Sequence, residues 1–250
     1  KKIELLKEQR TSLINQCVTK GLDPNVEMED SGVERIGEIP KHWSVKKLPW
    51  FVFFQEGPGL RNWQFTDHGV RVVCVTNITT DGLNFDQYQR YISEDEYLSS
   101  YKHFTVETGD LLLASSGNSF GKLCRYSGEF DNEFILNTST IRLHSLDEKS
   151  LKTEYLKLLI ESEVVQTQIR ILVTGSAQPN FGPTHLNKIK IPIPTDVEQE
   201  ELLVKVEPLL KDIDVIIKKE YSRISLIKEY RQSLISSVVT GKVRVTEDMI

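Results

Sequence analysis

Three loops of this sequence carry amide, hydroxyl and basic side chains, the groups that hydrogen-bond the exposed edges of DNA bases. Residues 55–65 surround a rigid Gly57-Pro58-Gly59 turn, residues 115–122 are rich in serine, and residues 175–184 contain a Gln-Pro-Asn sequence. On residue types alone, an ordinary polar surface turn is the commoner explanation of each loop. Asn77 is a fourth, weaker candidate, because an asparagine after a strand also caps turns. The candidates in the three loops are Gln55, Arg61, Asn62 and Trp63, then Ser115, Ser116, Asn118, Ser119 and Lys122, then Ser176, Gln178 and Asn180.

The motifs of the common enzyme classes do not occur in this sequence. Residues 117–122 resemble a phosphate-binding loop, but the loop is one residue short and Leu123 stands where Ser or Thr would follow. The five histidines are scattered without metal-ligand spacing. A Gly-x-Ser-x-Gly elbow, an HExxH motif and the Asp/Asn-Pro-Pro-aromatic quartet of amino-methyltransferases are absent. We therefore predict that the chain is not an enzyme and carries no cofactor or metal of its own.

The charge balance excludes a strongly basic nucleic-acid-binding protein. Lys and Arg number 31 against 36 Asp and Glu, which gives a net charge of −5. A DNA reader with this balance would need a partner to supply contacts to the phosphates. Three widely spaced cysteines without a CxxC pair, and the lack of a long apolar run, predict a reduced protein in the cytoplasm.

The elements that must position the loops include a long C-terminal helix. Apolar residues between positions 197 and 240 recur at alternating steps of four and three, which is typical of a helix packed lengthwise on another helix. Such a helix would be roughly 60 Å long, and Pro208 is expected to kink or restart it. The predicted seam is Leu202, Val206, Leu209, Ile213, Ile216, Ile224, Ile227, Leu234 and Val238.

The two ends of the chain are related in sequence. Residues 3–19 are IELLKEQRTSLINQCVT and residues 224–240 are ISLIKEYRQSLISSVVT, so ten of the seventeen positions are identical at one constant offset. Chance does not produce such agreement, and the segments form an internal repeat. Because the chain opens inside a helical pattern without a starting methionine, we expect it to be one unit of a longer, duplicated protein.

The segment between the helices predicts an α+β domain. Short strands with few helices and many polar turns are typical of this class. Strand-like runs cover residues 70–75, 111–114, 134–143 and 189–193, and helical patterns cover residues 94–101 and 151–171.

Several motifs resemble, in the same order, those of a target recognition domain in the specificity (S) subunits of type I restriction–modification enzymes. Each motif alone is weakly specific, but the ordered set covers essentially the whole chain and includes the duplicated helical ends. The motifs are SGVERIGEIPKHWSVKKL at residues 31–48, Gly109-Asp110-Leu111-Leu112, SGNSFGK at residues 116–122, GSAQPNF at residues 175–181, and Ile191-Pro192-Ile193-Pro194 followed by Glu198-Gln199.

The resemblance implies the C-terminal half of an S subunit. Residues 1–21 would be the end of a central conserved helix, residues 22–195 a target recognition domain, and residues 196–250 the C-terminal conserved coiled-coil helix and tail. The implied fold is α+β, a mixed β-rich target recognition domain flanked by long helices forming an antiparallel coiled coil.

The implied function is non-catalytic DNA recognition. The chain would read one half-site of double-stranded DNA and position methyltransferase (M) and restriction (R) subunits. S-adenosylmethionine would belong to the M partner, and ATP and Mg to the R partner. Two other functions stay open at this point: a helical adaptor that binds protein, and the recognition half of a single-chain DNA methyltransferase.

Unequal helix lengths predict self-association. Residues 1–19 reach roughly 28 Å as a helix and are expected to pack antiparallel near residues 202–216. The far half of the C-terminal helix would then have no partner within the chain. An apolar stripe of that length is expected to be buried against a second recognition domain or in a two-fold homodimer through residues 200–240.

Overall fold

The computed structural model describes residues 1–130, 132–173, 180–243 and 246, and its mixture of helices and strands confirms the predicted α+β class. No helix in these ranges is long and apolar enough to cross a membrane. The helices are α1 (Lys2–Lys20), α2 (Glu94–Glu96), α3 (Thr153–Glu161), α4 (Glu163–Leu172), α5 (Pro183–Leu186) and α6 (Asp196–Val239). The strands are β1 (Met28–Asp30), β2 (Glu38–Pro40), β3 (Ser44–Lys47), β4 (Val52–Glu56), β5 (Val70–Val73), β6 (Ile78–Thr79), β7 (Gly82–Leu83), β8 (Tyr91–Ile92), β9 (Leu111–Ala114), β10 (Leu123–Arg125), β11 (Phe134–Leu136), β12 (Thr140–Ser145) and β13 (Lys190–Ile193).

Two small sheets form the centre of the middle segment. One has the antiparallel order β10-β9-β12-β4, and the other has the order β11-β5-β8 with a parallel β11–β5 pair. Strands β5, β9 and β11 contribute to one apolar core, which holds them together by burying their side chains from water. Its buried members include Val73, Leu112, Ala114, Phe134 and Leu136.

The predicted strand over residues 134–143 was wrong as a single strand. β11 belongs to one sheet and β12 to the other, and the chain turns between them. Ser139 in this turn has a φ of 63°, and the backbone N–H of Asn137 donates to the Val73 carbonyl at 2.9 Å. A left-handed residue ends the extended conformation of a strand, and the Asn-Thr-Ser sequence at residues 137–139 was the turn signal.

The helical pattern over residues 151–171 is also divided, because Ser162 separates α3 from α4. Ser162 has extended backbone angles of −72° and 153°, and its hydroxyl donates to the Leu159 carbonyl at 2.6 Å. Such a local hydrogen bond competes with helix propagation. The backbone N–H of Glu163 then donates to Oδ1 of Asn15 in α1 at 2.8 Å, which satisfies one open donor at the start of α4. The other predicted helix, over residues 94–101, is α2 followed by a π-helical turn at Tyr97–Tyr101.

The chain divides into two compact units: residues 14–204, here called the recognition unit, and residues 1–13 with 205–250, here called the helical unit. Within the helical unit, α1 and α6 run antiparallel, as predicted. The contacts lie at the end of the predicted 202–216 range and beyond it. They join Lys2 to Glu220 (2.7 Å), Lys7 to the Tyr221 hydroxyl (3.0 Å) and Arg10 to Asp214 (2.9 Å).

Helix α6 continues through Pro208, so the predicted restart does not occur. Proline lacks the N–H that would bond the carbonyl four residues earlier, which here belongs to Val204. Val204 is 69 % exposed, so the missing hydrogen bond lies on the solvent side of the helix, where water is available to the carbonyl.

The buried stripe of α6 agrees with the predicted seam only in part. Leu209 is 51 % exposed, and its neighbour Leu210 is buried instead. Both are leucines, so the apolar period cannot choose between them. The buried residues are Leu202, Leu203, Val206, Leu210 and Ile213, whereas Ile216 is exposed.

The far half of α6 is uncovered. Every residue from 221 to 236 is exposed, which includes Ile224, Ile227 and Leu234 of the predicted seam. None of the described residues covers these side chains.

Candidate nucleic-acid interface

Several loops meet at one edge of the two sheets. Three backbone hydrogen bonds join them: Gly57 to Thr140 (3.0 Å), Asn137 to Val73 (2.9 Å) and Ser115 to Ser139 (2.9 Å). These bonds lie where β4, β5 and β9 end and where β12 begins. We call this region the loop edge and define it as residues 55–65, 74–77, 115–122, 137–139 and 180–182.

The base of the 55–65 loop is locked to the neighbouring turn. A Cβ atom on Gly57 would overlap the backbone of Asn137, so only glycine permits this approach. The Glu56 carboxylate accepts a hydrogen bond from the backbone N–H of Ser139 at 3.0 Å. Gln55 is half-buried, and its Oε1 accepts from Nε of Arg142 at 3.0 Å. The Gln55 side chain is thus already engaged in the sheet, and its contact with DNA stays a prediction.

The tip of the 55–65 loop presents three predicted side chains to solvent. Gln64 beneath the tip is buried and donates to the Tyr101 hydroxyl at 2.9 Å, and it also bonds the Glu96 carboxylate. Arg61 and Asn62 are exposed, and the Trp63 side chain is 81 % exposed. An indole with so little packing contributes little to the fold, and its ring face is available for stacking on a base.

The 115–122 loop is supported from inside by an aromatic pair. Phe120 packs edge-on against the buried Phe181, with ring centroids 5.1 Å apart. Of the predicted residues, Ser115 and Ser119 are buried, which assigns them to support of the loop. The accessible ones are Ser116, which is half-buried, and Asn118 and Lys122, which are exposed.

Asn180 joins the second and third predicted loops. The Ser115 hydroxyl donates to its Oδ1 at 3.4 Å, and Ser116 and Asn180 pair as an isolated antiparallel bridge. Asn180 itself is exposed at this junction. The predicted residues Ser176 and Gln178 lie outside the described residues.

The Asn77 side chain has no hydrogen-bonding group left for a base. Its Oδ1 accepts from the backbone N–H of Cys74 at 2.8 Å, and its Nδ2 donates to the carbonyls of Asn84 (2.9 Å) and Tyr88 (2.8 Å). Asn77 is only 1 % exposed. It caps the turn and holds residues 84–88 in place. We therefore remove Asn77 from the candidate base contacts and assign it a structural role in this turn.

Tyr88 and Arg90 lie next to the first predicted loop but are not among the residues predicted from the sequence. The Arg90 guanidinium packs over the ring of Phe65, the last residue of the first predicted loop. Aromatic side chains interleaved with a basic one are a signal of nucleic-acid contact, and the sequence Tyr-Gln-Arg-Tyr at residues 88–91 carries that signal. These residues follow no glycine-rich turn, which is the feature that marks the first predicted loop.

Asp110, from one of the family-like motifs, has a structural role at the other end of β9. Its carboxylate is buried and accepts from the backbone N–H of Glu107 at 2.8 Å. It also lies 3.4 Å from Nη1 of Arg142 and 3.0 Å from Nδ1 of His144. A buried carboxylate with this many partners fastens β9 to β12.

The chemistry of a metalloenzyme or thiol enzyme has no support among the described residues. No group of three His, Cys, Asp or Glu side chains there could hold a metal ion. All three cysteines are free and buried, and burial raises the pKa of Cys17 and of Cys124 to about 12. Thiols with such pKa values are protonated at neutral pH and are poor nucleophiles.

Comparisons with known proteins point to one family. Residues 40–225 match the family model "Type I restriction modification DNA specificity domain". The type I restriction enzyme MjaVIII specificity subunit of Methanocaldococcus jannaschii is 28% identical over 247 residues, which cover 98% of this chain and 56% of that protein.

Two solved structures share the fold. The HsdS subunit from Thermoanaerobacter tengcongensis superposes with a TM-score of 0.60 at 11% identity, over 94% of this chain and 51% of that chain. A chain from a structural study of complex assembly in a type I R-M system gives a TM-score of 0.64 at 10% identity, over 94% and 52%. The present chain thus spans about half the length of these relatives.

Proposed function

We propose, because this chain belongs to the family of type I restriction–modification DNA specificity domains, that it reads one half of a split DNA target. The loop edge carries this proposal. Loops from distant parts of the sequence meet there and present hydrogen-bonding and aromatic side chains of the kinds that contact bases. The accessible predicted residues are Arg61, Asn62, Trp63, Ser116, Asn118, Lys122 and Asn180.

Rigid support distinguishes the loop edge from an ordinary set of polar turns. Gln64, Ser115 and Phe181 are buried beneath it and hold the loops from inside. Side chains held in this way lose less conformational freedom on binding, which favours specific contacts. Base recognition in the major groove needs such fixed donors and acceptors.

The partners follow from the family. The long helices would dock M subunits, which carry S-adenosylmethionine and the methyl transfer, and R subunits would add ATP- and Mg-dependent cleavage. This chain would contribute specificity without catalysis, in the cytoplasm. The net charge of −5 fits a reader whose partners supply most phosphate contacts. The helical-adaptor and single-chain methyltransferase alternatives find no counterpart in the relatives reported above, which are specificity subunits.

A second copy of this chain is the partner we propose for the uncovered half of α6. Residues 224–240 repeat residues 3–19, and in that first copy Ile14 and Val18 are buried. The second copy therefore has the sequence of a helix end that docks on a protein surface. A two-fold dimer would cover it and would combine two recognition units.

Fluorescence anisotropy with duplex DNA tests this function. We expect the chain alone to bind weakly and with steep salt dependence, because it offers few phosphate contacts, and to bind at least roughly tenfold more tightly with the M subunit. In the complex, Asn180→Ala should reduce discrimination between target and non-target DNA by about 1–3 kcal/mol. Asn187→Ala, an exposed asparagine outside the loop edge, is the matched control.

Two outcomes would contradict the proposal. Tight, site-specific binding by the chain alone, unaffected by the M subunit, would contradict the dependence on a partner. Unchanged discrimination in Asn180→Ala, Ser116→Ala and Asn118→Ala, with unchanged melting curves, would show that the loop edge does not contact the bases.

A further inference from the structure

Two aromatic rings hold the guanidinium of Arg90 at the loop edge. Its Cζ lies 4.9 Å from the ring centroid of Phe65 and 5.5 Å from that of Tyr88. Its Nε donates a hydrogen bond to the Tyr88 hydroxyl at 2.9 Å. The backbone carbonyl of Arg90 accepts from Val72 in β5 at 2.8 Å, so both ends of the residue are fixed.

The supports of Arg90 belong to the loop edge. Phe65 ends the 55–65 loop and packs against the core beneath it. The carbonyl of Tyr88 accepts from Nδ2 of Asn77 at 2.8 Å, which joins Tyr88 to the 74–77 turn. Arg90 therefore lies beside the 55–65 loop, whose accessible side chains are proposed to meet DNA, and is joined through Tyr88 to the 74–77 turn.

The two terminal nitrogens of Arg90 remain unused within the described part of the chain. Its guanidinium forms one hydrogen bond there, through Nε, and no ion pair. Two other arginines of the recognition unit pair with carboxylates: Arg125 with Glu154, and Arg142 with the buried Asp110. The hydrogen bond between Arg90 and Tyr88 lies at the exposed surface, so the two terminal nitrogens are accessible to a ligand.

A fixed guanidinium with two free parallel N–H groups matches one base edge well. Guanine presents O6 and N7 as neighbouring acceptors in the major groove, and a bidentate arginine is the commonest specific contact to them. We propose that Arg90 is a specificity-determining residue that donates these two hydrogen bonds to one guanine of the half-site. This inference rests on the function proposed above. It assigns a base contact to a residue that lies outside the three loops predicted from the sequence.

The way Arg90 is held favours a base over a phosphate. Phosphates can also accept two hydrogen bonds from a guanidinium fork, but mobile Lys and Arg side chains can satisfy them without a pre-set plane. Arg90 is oriented by two rings and a hydroxyl, which pre-sets the plane of its fork. Such orientation is useful where a planar pair of acceptors must be matched.

The test uses the chain in complex with its M subunit. Selection from random duplexes gives the preferred half-site for the wild type, for Arg90→Lys and for Arg35→Lys, a control in which the arginine pairs only with Glu34. Arg90→Lys keeps the positive charge but removes the planar guanidinium group with its two parallel N–H donors. We expect its preference for guanine to fall roughly 10- to 100-fold at one position and to persist at the others. Arg35→Lys should retain the wild-type half-site.

A second measurement changes the DNA. Replacing that guanine by 7-deazaguanine removes the N7 acceptor, and it should weaken wild-type binding but leave Arg90→Lys binding nearly unchanged. Equal weakening of both proteins would overturn the assignment. So would a uniform loss of affinity on all sequences with a salt slope lower by about one, which indicates a phosphate contact. A wild-type complex without any sequence preference would overturn the proposed function together with the assignment, whereas a preference that survives in Arg90→Lys overturns the assignment alone.

Discussion

The two copies of the repeated segment are both helical, yet their burial is opposite. In the first copy Ile14 and Val18 are 1 % and 0 % exposed, whereas the matching Ile235 and Val239 in the second are 48 % and 80 % exposed. The end of the first copy, from Ile14 onward, is part of the recognition unit, and there Asn15 accepts a hydrogen bond from the backbone N–H of Glu163 at the start of α4. The second copy, at the far end of α6, has no such surface beside it among the described residues.

The difference in burial between the two copies shows what an amphipathic pattern can predict. The spacing of apolar residues makes one face of a helix suited to burial, but it does not determine which surface covers that face. The same pattern is part of a protein core in one place and an open surface in the other. The second copy therefore leaves an apolar helix face exposed, and the proposed dimer would cover that face.

The largest expected effect separates the two copies by stability. Ile14→Asp places a charge in a fully buried site and removes an apolar side chain, so the free energy of unfolding should fall by about 4 kcal/mol or more. The matching change, Ile235→Asp, should alter it by less than about 0.5 kcal/mol, because that side chain is half exposed. Urea denaturation at a low protein concentration measures both. Equal losses would mean that the second copy is also buried in the monomer.

A second prediction concerns the interface itself. We expect the chain to self-associate through residues 200–240, and Ile227→Asp with Leu234→Asp to weaken this association more than about tenfold by placing charges in an apolar contact. Sedimentation velocity over a concentration series measures it. The control is Lys228→Asp, a charge change on an already polar position between them. A monomer at every concentration, or a dimer that survives the double substitution, would rule the interface out.

The smallest expected effect is a pH dependence present in one copy only. Cys17 stands where the second copy has Val238, and burial raises the pKa of the Cys17 thiol from 9.0 to about 12. The unfolded chain loses this proton above pH 9 while the folded chain keeps it. The stability contributed by the neutral thiol is therefore complete below pH 9 and is lost as the pH rises towards 12.

Cys17→Val isolates this contribution. Between pH 8 and pH 10 the wild type should lose about 1 kcal/mol more unfolding free energy than the variant, since one pKa unit corresponds to about 1.4 kcal/mol. Cys124 contributes the same pH dependence to the wild type and to Cys17→Val. The quantity to measure is therefore the difference in unfolding free energy between these two proteins. Identical pH profiles would indicate that Cys17 is accessible to solvent in the folded state.

Part of the candidate interface could be predicted from the sequence. Polar loops with Asn, Ser, Arg and Trp were identified from residue types, and several of these side chains are exposed at the loop edge, such as Asn118 and Trp63. The roles of Asn77 and Ser115 could not be predicted, because a buried side chain and an exposed one of the same type look identical in a sequence. Arg90 could not be found either, since its supports Phe65 and Tyr88 are brought together only by the pairing of β5 with the chain around β8.

The sequence by itself determined the features that depend on local interactions. The helical period of α1 and α6, the strand at residues 111–114, the polar loops and the internal repeat all follow from residue type and spacing. Only the tertiary structure decided which leucine of the pair at positions 209 and 210 is buried, where Ser162 divides a helix, and which loops meet. The physical reason is that burial and convergence depend on residues far apart in the chain, whereas propensity and periodicity depend on neighbours.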